Sequence, residues 1–378
     1  MLRQSVPDEG WLSFSYILSY IFSIIISTLK NLSSCPKGRK IFKFSCPKCK
    51  VYKYWYSIIA MSYIEIKKTK SNNYAFFVKK LSFMGEHFVI KKSIGIESSK
   101  IDKEKYLLDN LELISEEELS YRKKHLKKVI SEIAYNKKLP EEIELLSIMI
   151  SNLLDAKNCE EKVNTEFAKE FIFNSNNIEG SKIPPRAVRE IIDKGNTAYS
   201  NKNEVKEVKN SILAFEYLKK SFKFNLTSIK KLYHILTKNL EIEKGTPYPK
   251  GFKKVPNVVG NSFTTNPEEV EETLIKLLEW YKKNKNKIHP LILSFEFHRK
   301  YEEIHPFLDG NGRTGRLIMN KILMSNGYQP IIVYKENKLS YFNSLTKANE
   351  GKRKKYYQFM LEQTRKTYNF LNETARKY

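Results

Sequence analysis

Residues 304–316 read Ile-His-Pro-Phe-Leu-Asp-Gly-Asn-Gly-Arg-Thr-Gly-Arg. On the near side Leu291, Ile292 and Phe295 fall at helical spacing. On the far side Ile318, Met319, Ile322 and Leu323 do the same until Gly327 stops the run. The stretch is therefore a loop that closes one helix and opens another. Gly310-Asn311-Gly312 can turn successive backbone N–H groups inward at a helix N-terminus, which makes an anion nest backed by the helix dipole. Arg313 and Arg316 follow at spacing i, i+3 and share a face. Asp309, ahead of the nest, is a hard oxygen ligand suited to Mg²⁺. His305, four residues before it, titrates in the range needed to take a proton from an attacking hydroxyl. A base, a metal ligand and a phosphate nest so close together describe phosphoryl or nucleotidyl transfer. Each residue alone would be read as surface or structure; the ensemble carries the reading.

Working outward, helical patterning covers segments near 184–194, 204–222, 226–240, 267–284, 289–304, 313–326 and 338–375. The exception is 247–266, Pro-Tyr-Pro-Lys-Gly-Phe-Lys-Lys-Val-Pro-Asn-Val-Val-Gly-Asn-Ser-Phe-Thr-Thr-Asn, where Pro, Gly and short apolar runs predict a loop or β-hairpin. Between Asp102 and Ala168 long Leu/Ile-spaced, charge-laced stretches predict helices, punctuated by Pro140. From Ser62 to Ile96 apolar and charged residues alternate, with turns at Ser71-Asn72-Asn73 and Met84-Gly85. That period of two predicts a small antiparallel sheet. No internal repeat is present. The fold class is mainly α: a helical bundle with a β-hairpin flap, preceded by a small β-rich module.

The chain of 378 residues, 41% hydrophobic and 13% aromatic, can bury a full core, which excludes general disorder. Its net charge of +25 would favour nucleic acid, anionic lipid or acidic partners, but the lysines are spread rather than stacked, as in a Lys- and Asn-rich proteome. Four cysteines do not build a secreted disulfide scaffold. Cys46-Pro-Lys-Cys49 has the spacing of a zinc knuckle with Cys35 upstream, yet a tetrahedral site lacks its fourth ligand. Cys159, alone in a helical stretch, is expected to be buried and inert.

Residues Trp11 to Leu29 carry no charge and precede Lys30, Lys37, Arg39 and Lys40. Three readings stay open for this leader: a membrane anchor with the basic side and the enzyme in the cytoplasm, a stretch that is not translated because the natural start is Met61, or a buried or interfacial segment. A secretory signal fits less well, since no small-residue cleavage pattern follows.

The central stretch resembles the Fic signature, HPFx(D/E)GNGRxxR, at every defined position. The resemblance implies a protein adenylyltransferase that moves AMP from ATP, with Mg²⁺, onto a Ser, Thr or Tyr hydroxyl of a target protein. His305 would deprotonate that hydroxyl and Asp309 would hold Mg²⁺. Gly310, Asn311, Gly312 and Arg313 would cradle the α- and β-phosphates, and Arg316 would hold the γ-phosphate. The related Doc kinases carry lysine in place of the last glycine of the nest, so Gly312 points away from phosphorylation. Gly251, Phe252, Val255, Val258, Val259 and Gly260, on to Asn261 and Pro267, fall where Fic proteins carry the flap that aligns a target by strand addition, although lysines replace the usual arginine. Glu207-Val208-Lys209-Asn210 resembles another landmark, Lys338 to Glu362 the closing helices, and His298 a helix-packing histidine. The resemblance spans roughly 165–365.

Upstream, Ser175-Asn176-Asn177-Ile178-Glu179-Gly180 resembles the inhibitory motif (S/T)xxxE(G/N). A carboxylate facing Arg316 would gain a charge-assisted pair and occupy the arginine that the γ-phosphate needs. The implied organisation is 1–60 leader, 61–100 β module, 101–164 helical region and 165–378 Fic domain with its C-terminal helices. Two alternatives remain. The same site could remove AMP from a modified protein, or a basic nucleic-acid-associated regulator could use the domain as a sensor. The second is not favoured, because the chain ends at Tyr378 without room for a C-terminal winged helix. Oligomeric state stays open, with a homodimer among the states considered, as dimerisation often governs the brake in relatives.

Overall fold

The computed structural model describes residues 61–96, 101–133, 138–243, 245–259 and 262–378. The leader, its three cysteines, and Gly260 and Asn261 of the flap lie outside the described residues. The period-two alternation folds as expected. Strands β1 (Met61–Lys68), β2 (Asn73–Phe83) and β3 (Glu86–Ile96) form an antiparallel sheet in the order β1-β2-β3. Ala75, Phe77, Leu81 and Phe83 of β2 point to one face and are buried.

The same alternation carries Lys79 inward, where a charge needs a partner. Helix α1 (Lys103–Asp109) follows the sheet, and the next two, α2 (Leu111–Ile133) and α3 (Leu139–Lys157), supply it. Lys79 Nζ donates to Glu118 of α2 and to Asn152 of α3, each at 2.5 Å. Glu118 also accepts from Arg122, which donates at 2.8 Å to Glu144 of α3. Glu144 is fully buried and accepts from Tyr328 at 2.7 Å. Against the penalty of burial, His289 and Arg122 hold its carboxyl down at about 2. The network runs from the sheet to Tyr328, and deleting one member would strand a buried charge.

The rest is helical: α4 (Glu160–Ile178), α5 (Pro185–Lys194), α6 (Lys202–Lys220), α7 (Leu226–Thr237), α8 (Val270–Asn284), α9 (Pro290–Ile304), α10 (Asn311–Ser325), α11 (Lys338–Asn349) and α12 (Arg353–Lys377). The helical segment expected over 338–375 is two helices. Gly351, at φ 87°, breaks it between α11 and α12, a conformation that favours glycine. In the region without helical period, β4 (Glu241–Glu243) pairs β5 (Thr246–Pro247), and β6 (Val258–Val259) pairs β7 (Ser262–Phe263) as a short hairpin. Helices α9 and α10 are the most enclosed, with Leu291, Leu293, Phe295, Phe297, Ile318, Ile322 and Leu323 fully buried. Cys159 is buried at the start of α4. Among the described residues no helix is long and apolar enough to cross a membrane.

Candidate active site

Pro306 ends α9, because the residue before a proline is driven out of the right-handed helical region. His305 takes the left-handed conformation at the helix C-cap (φ 50°, ψ 63°), which is unusual for a residue with a side chain and turns the imidazole away from the helix axis. The loop that follows is fixed from several sides. Asn311 Nδ2 donates to the Phe307 carbonyl and Asn311 Oδ1 accepts from the Phe307 N–H, both at 2.8 Å. The Phe307 ring stacks on Tyr233 of α7 at 3.8 Å between centroids. Gly310 enters α10 at φ 79°, again a position for glycine. The first-turn N–H groups of α10, on Asn311, Gly312 and Arg313, thus open toward the loop, where an anion is favoured.

Asp309 lies at the rim of this turn. Its Oδ1 accepts the Gly310 N–H at 2.6 Å and its Oδ2 accepts from Tyr248 at 2.5 Å. Arg313 is buried and donates to Glu207 of α6 at 3.1 Å and to the Tyr248 hydroxyl at 3.3 Å. Arg316, 1% exposed, donates Nε to the Ser175 hydroxyl at 3.1 Å, and Nη2 to the Ser175 carbonyl at 2.9 Å and Glu179 Oε1 at 2.7 Å. Against the penalty of burial, Glu179 holds the Arg316 guanidinium charged. Gly180, at φ 111°, turns the chain away directly after Glu179. A β-carbon placed on Gly312 would lie 2.2 Å from Glu179 Oε1, so the carboxylate rests on the backbone of that residue.

His305 faces a second carboxyl that the sequence reading did not single out. Glu302 Oε2 lies 3.8 Å from His305 Nδ1, and Glu302 Oε1 lies 3.7 Å from His298 Nδ1. Burial pushes the Glu302 carboxyl up to about 8, opposed by Arg316 and reinforced by Glu179. Burial, together with the charge of Lys253, pushes the His305 imidazole down to about 4. His298 is fully buried, with Nε2 2.6 Å from the Tyr341 hydroxyl and its ring stacked on that tyrosine.

The flap residues fall into two groups. Phe252 packs 5.5 Å from the Phe307 ring, and Gly251 precedes it at φ 96°. Val255 and Val258 are exposed, and Val259 pairs with Ser262 in the hairpin. Between the groups sits Lys253, which is buried. Its N–H donates to the Pro306 carbonyl at 2.9 Å, and its Nζ to Asn257 at 2.7 Å and Thr264 at 2.6 Å. Asn257 in turn donates to the Phe307 carbonyl at 3.0 Å. The base of the flap is thereby latched to the His305 loop, while β6 and β7 project beyond it.

The site residues read from the sequence, Gly260 apart, lie in this assembly around the start of α10 and the flap. Residues 223–323 match the profile described as the Fic/DOC family, and they hold His305, the nest, both arginines and the whole flap. Residues 223–323 are a Fic/DOC family domain. Similar Fic relatives include the "Protein adenylyltransferase Fic" of Drosophila mojavensis, 29% identical over 227 residues, 58% of this chain and 44% of the relative. The protein of the same name from Drosophila grimshawi is 30% identical over 205 residues, 52% of this chain and 41% of the relative. The chain thus spans less than half the length of these curated relatives. A Fic domain containing signaling protein from Bacteroides thetaiotaomicron superposes with TM-score 0.55 at 21% identity, covering 62% of this chain and 97% of that one. A Fic family protein from Desulfovibrio desulfuricans superposes with TM-score 0.52 at 25% identity, covering 62% and 72%. These likenesses establish the mainly helical Fic fold.

Among the described residues no group of three or more His, Cys, Asp or Glu side chains could hold a metal ion. Asp309 fits the other mode of Mg²⁺ binding, one protein carboxylate with the remaining ligands from phosphates and water.

Proposed function

We propose that this site transfers AMP from MgATP to a hydroxyl of a target protein and that Glu179 holds it off. The observation that carries the reading is the position of Glu179: its carboxylate occupies the helix N-terminus and the arginine that a nucleotide's phosphates would use. The chemistry follows from the residues around it. His305, neutral at physiological pH because burial depresses its pKa, takes the proton of a Ser, Thr or Tyr hydroxyl. The hydroxyl oxygen forms a bond to the α-phosphorus, the bond from that phosphorus to the bridging oxygen breaks, and pyrophosphate leaves. The N–H groups of Asn311, Gly312 and Arg313, with the Arg313 guanidinium, are suited to the charge that develops on the phosphate oxygens. Asp309 would hold the Mg²⁺ that arrives with the nucleotide and supplies charge neutralisation. Arg316 would take the γ-phosphate once Glu179 withdraws. The exposed strands β6 and β7 offer an edge to an extended target segment. The names of the relatives and the match of the 304–316 stretch support AMP transfer over other nucleotidyl chemistry. Mass spectrometry after incubation with ATP and Mg²⁺ tests it. A gain of one AMP in Glu179→Gly, absent in Glu179→Gly/His305→Ala, is expected; no AMP on the single variant or on any added protein overturns the reading.

A further inference from the structure

His298 and Glu302 stand at i and i+4 on one face of α9, and His305, the left-handed cap that follows the helix, brings its Nδ1 to the other oxygen of the same Glu302 carboxyl. Room for the Glu302 carboxyl comes from Gly315 of α10: a β-carbon there would lie 2.5 Å from Glu302 Oε1. Around this carboxyl the polar atoms of the core are without hydrogen-bond partners: Glu302 Oε1, His298 Nδ1, His305 Nδ1 and Arg316 Nη1 are all buried and unpaired. Buried polar groups are nearly always satisfied, and a cluster of exceptions marks a place with a task other than stability. The groups facing Glu302 are His298, Tyr301 and His305 from its own helix, Arg316 from α10, Glu179 beyond α4, and Tyr341 and Tyr356 from α11 and α12. Of these, His305 is the one that the proposed transfer reaction uses as a base.

We propose that Glu302 is the positioning residue of His305: its Oε2 faces Nδ1, keeps the ring proton on that nitrogen, and leaves Nε2 with the lone pair that takes the target's proton. An imidazole can act as a base only from its unprotonated nitrogen, and the hydrogen bond made by the other nitrogen decides which one that is. A neighbouring carboxyl that fixes the tautomer is worth orders of magnitude in acid–histidine pairs. The separation of 3.8 Å is longer than a hydrogen bond, as catalytic pairs commonly are before substrate closes the site. Glu302 does this in either protonation state, because its Oε2 can accept from Nδ1–H as the carbonyl oxygen of the acid or as carboxylate. The main chain of Glu302 also favours the charged form of the imidazole. It is the competing acceptor, and it makes the assignment testable: if the main chain alone sets the tautomer, the side chain is dispensable.

The tautomer part stands without any activity, and its catalytic consequence rests on the AMP-transfer reading. The experiment is ¹⁵N NMR of the full chain labelled on histidine, with the His305 signals identified by their loss in His305→Gln. In wild type, Nδ1 is expected to carry the proton. In Glu302→Met, which keeps the volume and removes the acceptor, the Nε2–H tautomer is expected to rise several-fold, and Glu302→Gln, whose amide oxygen accepts, restores the wild-type pattern. An unchanged His305 tautomer in Glu302→Met overturns the proposal. Where the Met variant fails to fold, Glu302→Ala replaces it with the same two outcomes: a rise of the Nε2–H tautomer supports the proposal and an unchanged His305 tautomer overturns it. In the Glu179→Gly background, Glu302→Met should lower kcat roughly 10- to 100-fold with KM for MgATP unchanged, and Gln should recover most of the loss. Absence of AMP transfer in every variant refutes the function and leaves the tautomer result to judge Glu302.

Discussion

The Glu179 carboxylate lies so close over Gly312 that a β-carbon on that glycine would sit 2.2 Å from Oε1 and 3.0 Å from Cδ. Glu179 and Gly312, 133 positions apart by subtraction of their residue numbers, are thus in van der Waals contact, and the observed place of the Glu179 carboxylate leaves no room for a side chain at 312. Gly312→Ala is expected to destabilise the wild-type chain by roughly 1–3 kcal/mol through overpacking. In Glu179→Gly, where the obstructing carboxylate is gone, the same substitution should be markedly milder. A double-mutant cycle by chemical denaturation reads the coupling directly; additive effects would place Glu179 elsewhere.

Removing the Glu179 carboxylate should not rescue Gly312→Ala in binding. The added methyl projects into the space over the first turn of α10 whether or not Glu179 is present, so calorimetry should find MgATP affinity reduced at least tenfold in both Gly312→Ala and Gly312→Ala/Glu179→Gly. Glu179→Gly alone should bind MgATP at least as tightly as wild type, because Arg316 is then released from its 2.7 Å pair with Glu179.

Lys253 joins the flap to the His305 loop through its main-chain N–H to Pro306 and its ammonium to Asn257 and Thr264. Lys253→Met keeps the stem and removes the donors, leaving those oxygens to be satisfied otherwise. The expected outcome is faster limited proteolysis between Val255 and Phe263 with little change in the melting of the helical core. Uniform loss of the core transition would mean that Lys253 supports the whole fold rather than the flap.

How much of this was legible in the sequence depends on whether neighbours along the chain are neighbours in space. His305, Asp309, the nest and both arginines come from one loop and one helical turn, so spacing alone placed them. The sheet was legible because its period is two, although that period could not say that Lys79 inside the sheet would be answered by Glu118 and Asn152 from two different helices. Paired residues defeated the reading elsewhere. Lys253 and Lys254 look alike in sequence, yet the first is buried and the second exposed. Glu302 and Glu303 differ only in helical phase: Glu303 pairs with Arg299 at 2.9 Å on the outer side, whereas Glu302 stands four residues after His298 on the inner face. That i, i+4 relation to a histidine was the available signal. Tyr248, which holds Asp309, comes from a distant segment and carries no local mark of that role, and Glu207, which holds Arg313, stood out only as part of the 207–210 landmark, without its partner.

The buried acid also leaves a pH signature on stability. Burial raises the Glu302 carboxyl from its ordinary 4.5 to about 8. Between those two values the folded chain keeps a proton that the unfolded chain has released, so stability falls as pH rises through the window, by at most about 1.4 kcal/mol per pH unit. His305, lowered from 6.5 to about 4, has the opposite slope: the unfolded imidazole binds a proton first, and stability falls as pH drops from 6.5 toward 4. The two windows overlap, so the wild-type profile alone does not separate them, but Glu302→Gln removes only the first. The Gln variant is expected to match wild type near pH 4.5 and to become progressively more stable than it up to about pH 8, read by urea denaturation at a series of pH values. A difference between Gln and wild type that stays constant with pH would show that Glu302 is ionised in the folded chain, paired with Arg316 rather than held as the neutral acid.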